Sequence, residues 1–145
     1  MSTSNTELQS WVKEVSEMTK PDNIYWCNGS KEEYEEFIQK MLGTGDLMQL
    51  NEETFPNCYL HRSDPSDVAR VEHLTFICTE DSEDAGPNNN WMDPKEAHEK
   101  LDQLFENCME GRTMYVIPYC MGPIGSDLSR CGVEITDSPY VVANM

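Results

Sequence analysis

Positive charge is scarce in this sequence. Its 145 residues include 10 Lys and Arg against 27 Asp and Glu, which gives a formal net charge of −17. Nucleic acids and anionic membrane surfaces are bound through clustered Lys and Arg side chains. The basic residues here are scattered along the chain, so we expect neither a nucleic acid nor a membrane as a partner.

Long apolar stretches and paired cysteines are missing as well. No segment approaches the roughly 20 apolar residues that a membrane-spanning helix needs. The opening stretch MSTSNTELQSW lacks the basic start and apolar run of a secretion signal, and we therefore expect a cytoplasmic protein. Without C-x-x-C pairs, the cysteines are expected to be free, buried thiols rather than disulfides or zinc ligands. They are Cys27, Cys58, Cys78, Cys108, Cys120 and Cys131.

The sequence also lacks recognisable loops for phosphate or metal. GTGD at 43–46 is interpreted as a helix end and MGPIGS at 121–126 as a turn, and neither matches a phosphate-binding glycine motif. EDSEDAG at 80–86 lacks the ligand spacing of a calcium loop and reads as a solvated acidic loop. No lone cysteine is marked as a nucleophile. The histidines are expected to be surface or packing residues: His61, His73 and His98.

Three helices are predicted from apolar side chains at helical spacing. The first covers residues 6–19. The second follows Ser30 and Glu33, which have the spacing of a capping box, and Gly43 suits its end. The third begins at Asp93, directly before a proline at the first helical position.

Short β-rich runs are interspersed with these helices. Because helices and strands mix without strict βαβ alternation, we predict an α/β fold, with a mixed sheet and flanking helices. The closing stretch DSPYVVANM reads as a buried strand, whereas domains usually end in polar residues, so we expect an incomplete domain. The strand candidates are IYWC (24–27), CYLHR (58–62), TFIC (75–78), TMYVIP (113–118), GVEIT (132–136) and YVVA (140–143).

Two arginines are candidates for a defined role. Arg70 follows SDPSDVA, where Asp64 can cap a short helical turn and Pro65 suits its first position. Such a turn would fix the direction of a guanidinium, which binds a carboxylate or phosphate through two parallel N–H bonds. Local chemistry alone favours a surface salt bridge over this anion clamp, because carboxylates surround Arg70. For Arg112, at a turn entering a strand, we expect a structural ion pair or a bond to a carbonyl.

Several long stretches together carry a family resemblance. The sequence resembles the N-terminal part of the GTP-dependent phosphoenolpyruvate carboxykinases, in their bacterial form, from about the first helix to the last residue. Two departures stand out: Asn88 where the family usually has Thr, and Glu110 where a basic residue is usual. The stretches are NGSKEEYEEF, LNEETFPNCYLHRSDPSDVARVEHLTFIC, DAGPNNNWMDP, CMEGRTMYVIPYCMGPIGS and GVEITDSPYVVANM.

The resemblance implies a reaction and one substrate-binding residue. These enzymes interconvert oxaloacetate and GTP with phosphoenolpyruvate, carbon dioxide and GDP in gluconeogenesis, assisted by Mn²⁺ and by a second divalent ion, Mg²⁺, on GTP. An arginine of the DVAR motif contacts the organic substrate, and here that residue is Arg70. The complete enzyme is expected to be a monomer.

The same resemblance implies what these residues lack. The manganese ligands, the phosphate loop and the guanine pocket come later in the family's sequence, so no catalytic, cofactor-binding or metal-binding residue is assigned here. We expect residues 1–145 to be a truncated N-terminal domain of a two-domain enzyme, inactive without its C-terminal portion as a partner. The alternative is a non-enzymatic acidic binding or interaction module derived from that domain.

Overall fold

The computed structural model describes residues 3–67 and 71–145. The α-helices are α1 (Thr6–Thr19), α2 (Lys31–Thr44), α3 (Pro94–Phe105) and α4 (Pro139–Asn144). Two 3-10 helices cover Glu72–Leu74 and Ser82–Ala85. The strands are β1 (Asn23–Trp26), β2 (Leu47–Gln49), β3 (Tyr59–His61), β4 (Phe76–Ile77), β5 (Asn90–Trp91), β6 (Thr113–Met121) and β7 (Arg130–Thr136).

The main sheet has three strands in the order β1-β6-β7. β1 runs parallel to β6, with Ile24 opposite Met114, and β7 runs antiparallel to it, with Ile135 opposite Val116. The sheet is therefore mixed, and the predicted α/β class is confirmed.

Each face of β6 is covered by helix. Successive side chains of a strand point to opposite faces. Met114 and Val116 pack in a buried cluster with Val12 of α1. On the other face, Tyr115 and Ile117 pack in a second cluster against α2 and α4. Met114 and Val116 are both 0% exposed, so the centre of β6 is fully buried.

The region between β2 and α3 is built differently. β2 and β3 form an antiparallel pair, and β4 and β5 form a parallel pair of two residues each. Among the described residues from 50 to 105, Ala85 alone is buried. This region is therefore organised by hydrogen bonds and turns rather than by an apolar core of its own.

The predicted capping box at the start of α2 is present in a modified form. Ser30 Oγ accepts a hydrogen bond from the Glu33 backbone N–H at 3.1 Å, as expected. The Glu33 carboxylate, however, accepts from the backbone N–H groups of Asn28 and Gly29, at 2.8–3.0 Å, rather than from that of Ser30. Glu33 is buried, so its carboxylate joins the β1–α2 turn to the helix.

Two element boundaries differ from the sequence predictions. Gly43 lies inside α2, and the left-handed residue that ends the helix is Gly45, with φ of 85°. The predicted strand YVVA is wrong, because these residues form α4. Ser138 accepts from the Val141 N–H and Pro139 occupies the first turn, and these helix-start signals override the β-propensity of the two valines.

The cysteines are free thiols, as predicted, but the prediction that they are buried is wrong for most of them. All six cysteines are free. Cys27 is buried, whereas Cys58, Cys78 and Cys131 are exposed. The exposed ones lie outside the two apolar clusters. Among the described residues, no helix has the length and apolar character needed to cross a membrane.

Candidate functional site

Arg70, the predicted substrate-binding residue, lies outside the described residues, together with Val68 and Ala69. The site is therefore built from the two flanks that hold this segment. The upstream flank ends at Asp67 and the downstream flank begins at Val71.

The upstream flank is a turn organised by Asp64. Its Oδ1 accepts hydrogen bonds from the Ser66 N–H at 2.8 Å and from the Ser66 hydroxyl at 2.6 Å. The Asp67 N–H donates to the Asp64 carbonyl oxygen at 2.9 Å and closes the turn. The Ser66 hydroxyl, and then its backbone N–H, lowers the pKa of Asp64 below its usual 3.8. The role of Asp64 as an acceptor of backbone N–H groups is thus as predicted.

The downstream flank is fastened by Asn90. Its side-chain amide donates to the carbonyl oxygens of Glu72, at 2.7 Å, and of Thr75, at 3.1 Å. These two carbonyls lie at the first residue of the 3-10 helix that follows the Arg70 segment and at the residue that caps its end. Asn90 also pairs with Phe76 in the β4–β5 ladder, so main chain and side chain hold the same flank.

A polar cavity of about 380 Å³ adjoins this flank. Asn88, one of the departures from the family pattern, is part of its wall. Amide side chains can donate to carboxylate or phosphate oxygens, but they carry no charge. The lining residues are Glu72, His73, Thr75, Asn88, Asn89 and Asn90.

Cationic side chains are sparse in this part of the sequence. Arg70 is the only Lys or Arg between Arg62 and Lys95. The Asn-rich flank can hold neighbouring backbone through hydrogen bonds, and Arg70 is the one side chain of this stretch of sequence with a permanent positive charge.

Arg112 has a structural role, as predicted. Its Nη1 lies 2.6 Å from Asp137 Oδ2, and its Nη2 donates to the carbonyl oxygen of Cys108. These contacts tie the entry of β6 to the end of β7.

His61 is a packing residue, also as predicted. Its ring stacks on Tyr140, with centroids 3.9 Å apart, and its Nδ1 lies 2.8 Å from the Asp46 carbonyl oxygen. His61 thereby links the β2–β3 pair to α4. His73 and His98 are exposed.

Comparison with known proteins decides the family. The sequence profile of the phosphoenolpyruvate carboxykinase N-terminal domain matches residues 10–145. The chain belongs to this family. Relatives named phosphoenolpyruvate carboxykinase [GTP] include one from Neocallimastix frontalis, 57% identical over 97% of this chain, and one from Chlamydia trachomatis, 54% identical over 95%. A third, from Anaeromyxobacter dehalogenans, is 52% identical over 99% of the chain.

The carboxykinase relatives are much longer than this chain, which spans about 23% of their length. Within residues 3–67 and 71–145, no three His, Cys, Asp or Glu side chains come together in a group that could hold a metal ion. These residues do not fit a manganese site, and the sequence has no phosphate-binding motif to fit GTP.

The sequence reasoning missed Asn90. Its function is visible only once β5 is placed beside β4, because its two acceptors lie 15 and 18 residues away. Three asparagines precede Trp91, and nothing local in the sequence marks which of them reaches back to the turn.

Proposed function

We propose that this chain supplies one wall of the organic-substrate site of a GTP-dependent phosphoenolpyruvate carboxykinase, with Arg70 as its substrate-contacting residue. Family membership supports this proposal, since the profile covers residues 10–145 and the relatives carry that activity in their names. It also favours an enzyme over a non-enzymatic acidic module. The domain is taken as residues 1–145, and its cytoplasmic location remains a prediction.

The proposed chemistry needs a cation close to a small polyanion. Oxaloacetate loses carbon dioxide to give an enolate, whose oxygen takes the γ-phosphoryl group of GTP. A guanidinium can hold a substrate carboxylate or phosphate through two parallel N–H bonds, which an ammonium cannot reproduce. Positive charge near the enolate oxygen also stabilises the charge that develops in the transition state.

The described flanks support this role for Arg70. The Asp64 turn and the Asn90 hydrogen bonds fix the chain on both sides of the segment. Asp64 Oδ1 accepts both hydrogen bonds from Ser66, so this carboxylate oxygen is part of the turn itself.

The remaining parts of the site are proposed to lie in the C-terminal portion that this chain lacks relative to the carboxykinases. That portion would supply the ligands for Mn²⁺ and the site for GTP with Mg²⁺, and it is the partner without which the chain is inactive. The complete enzyme is proposed to act as a monomer.

A hybrid enzyme tests the proposal. This chain replaces the matching first part of the Neocallimastix frontalis relative, and oxaloacetate decarboxylation and phosphoenolpyruvate carboxylation are assayed with the nucleotide. We expect the hybrid to be active and the separate 145-residue chain to be inactive. Activity of the separate chain, or an inactive hybrid that is folded, would contradict the proposal.

Arg70→Lys in the hybrid tests the assigned residue. Loss of a charge-assisted contact costs about 1.5–3 kcal/mol, so kcat/KM for oxaloacetate and phosphoenolpyruvate should fall by about 10- to 150-fold. The KM for GTP and the melting temperature should change little. Arg130→Lys is the matched control, because Arg130 donates to carbonyls of its own loop. A lower melting temperature with unchanged kinetics would instead establish the salt-bridge interpretation of Arg70.

A further inference from the structure

Two of the six cysteines face each other across the β6–β7 ladder. The register runs without interruption from Tyr115 opposite Thr136 to Met121 opposite Arg130, and it places Cys120 directly opposite Cys131. The other four cysteines lie outside the strands. The cross-strand pair is therefore set apart from the remaining thiols by its geometry.

The hydrogen-bond pattern identifies the type of this pair. The Val116 carbonyl oxygen accepts from the Cys27 N–H, at 2.9 Å, so the Val116 peptide faces away from β7. Val116 and Ile135 are consequently a non-hydrogen-bonded pair, and the pair type alternates along an antiparallel ladder. Four residues further along β6, Cys120 and Cys131 have the same type. Pro118 lies midway between Val116 and Cys120 on β6 and forms a pair of the same type with Val133. The ladder to β7 needs no N–H at this position, which suits a proline.

This pair type suits a disulfide. Directly opposed residues of a non-hydrogen-bonded pair have Cα atoms about 4.5 Å apart, within the roughly 4.4–6.8 Å that a disulfide spans. A bond between the two sulfur atoms can therefore form with little movement of the strands.

Reagents can reach the pair from solvent. Cys131 is exposed and Cys120 is partly buried. Both line an open cavity of about 670 Å³ between the strand ends and the start of α1, and Asn5, Leu8 and Ser129 are among the other lining residues. Burial, and then the neighbouring Cys131 thiol, raises the pKa of Cys120 above its usual 9.0. Reaction is therefore faster at mildly alkaline pH, where more thiolate is present.

We propose that Cys120 and Cys131 form a dithiol site that low-molecular-weight disulfides oxidise reversibly to an intramolecular disulfide. The exposed Cys131 thiolate attacks one sulfur of the small disulfide and releases the other half as a thiolate. The Cys120 thiolate then attacks the Cys131 sulfur of the mixed disulfide and releases the second half. Two electrons pass from the protein to the small disulfide, and the two protons of the cysteines end on the two released thiols.

Thiol counting and peptide mapping test this proposal. The reduced chain is incubated with glutathione disulfide at pH 8.5. We expect the number of free thiols to fall from the six of the reduced chain to four. Trypsin cleaves after Arg112 and Arg130 and so places the two cysteines on separate peptides, 113–130 and 131–145. The two peptides should be recovered as one linked species with two hydrogens fewer than their sum, and dithiothreitol should separate them.

Variants distinguish this pair from general thiol oxidation. Cys120→Ser should stop at a stable mixed disulfide with glutathione on Cys131. Cys58→Ser, which removes an exposed cysteine outside the strands, should still give the linked peptides. Linkage among other cysteines in comparable yield, or glutathione on both Cys120 and Cys131 without linkage, would overturn the proposal.

A measurement on the unchanged chain tests the same pair without any substitution, so it does not depend on the folding of a variant. Phenylarsine oxide, which bridges two close thiols, should protect both Cys120 and Cys131 from alkylation and leave Cys58 and Cys78 reactive. In concentrated urea this selectivity should disappear. Equal protection of all the exposed cysteines without urea would refute the cross-strand site.

Discussion

Removing the Glu33 carboxylate should lower the free energy of unfolding more than removing an exposed side chain in the same turn of α2. Glu33 is 5% exposed, and its carboxylate accepts hydrogen bonds from the backbone N–H groups of Asn28 and Gly29. Glu33→Ala leaves both donors without this acceptor. A hydrogen bond to a charged group contributes about 1.5–3 kcal/mol, and the two share one carboxylate. We therefore expect a loss of about 2–4 kcal/mol in the free energy of unfolding.

Urea unfolding of the chain, followed by circular dichroism, measures this loss. Glu32→Ala is the matched control, since Glu32 is also acidic and in the first turn of α2 but is exposed. We expect the control to change the free energy of unfolding by less than about 0.5 kcal/mol. Equal losses for the two variants would refute the reasoning, because both would then act through the helix dipole and not through the buried hydrogen bonds.

Glu33→Gln tests the same carboxylate through the pKa values of its neighbours, which a change in stability alone would not alter. Burial, and then the hydrogen bond and negative charge of Glu33, raises the pKa of Tyr25 above 10.0. Burial, with a smaller contribution from the Glu33 charge, raises the pKa of Cys27 to about 11. The neutral side chain should lower both pKa values, and most clearly that of Tyr25 in an ultraviolet titration. An unchanged Tyr25 titration would show that the carboxylate does not act on this ring.

Two further predictions concern the flanks of the Arg70 segment. Asp64→Asn should lower the urea midpoint at pH 6 by more than at pH 3, because the pKa of Asp64 is depressed in the folded chain. Such a group stabilises the fold above its unfolded pKa, and the contribution is lost as pH falls through the folded pKa. An equal difference in urea midpoint between variant and unchanged chain at both pH values would contradict this. Asn90→Ala removes two hydrogen bonds worth about 0.5–1.5 kcal/mol each and should speed tryptic cleavage after Arg70, whereas Asn88→Ala should not; equal rates would refute the anchoring role of Asn90.

The features that could be predicted from sequence are those fixed by neighbours along the chain. α1 and α3 follow from apolar spacing, and the roles of Ser30 and Asp93 as caps depend on residues two or three positions away. Ser138 and Pro139 carried the same kind of information about α4. The two valines that follow favour a strand by propensity, and the strand prediction is wrong because the cap and the proline set a helix instead.

The features that could not be predicted depend on which distant segments meet. Cys120 and Cys131 are 11 positions apart, but only the register of β6 and β7 makes them opposite each other rather than one residue out of step. A shift of one residue would point one thiol to the other face. Asn90 is similar, since its acceptors are defined by the parallel pairing of β4 and β5, which spans two residues on each strand. Sequence periodicity carries no signal for so short a ladder.

The charge distribution is compatible with the proposed role of this acidic chain in binding a polyanion. Residues 63–94 contain eight Asp and Glu against Arg70 as the single Lys or Arg. Exposed charges farther away than about 8 Å are largely screened at physiological ionic strength, whereas a bidentate guanidinium contact acts at hydrogen-bond distance. The surrounding carboxylates would therefore slow the approach of oxaloacetate more than they weaken the bound state. Because Arg70→Lys keeps the positive charge and leaves these carboxylates in place, higher salt should change the KM of the hybrid enzyme for oxaloacetate by a similar factor in Arg70→Lys and in the unchanged chain. A clearly different salt dependence of the two KM values would contradict this separation of long-range repulsion from the short-range contact.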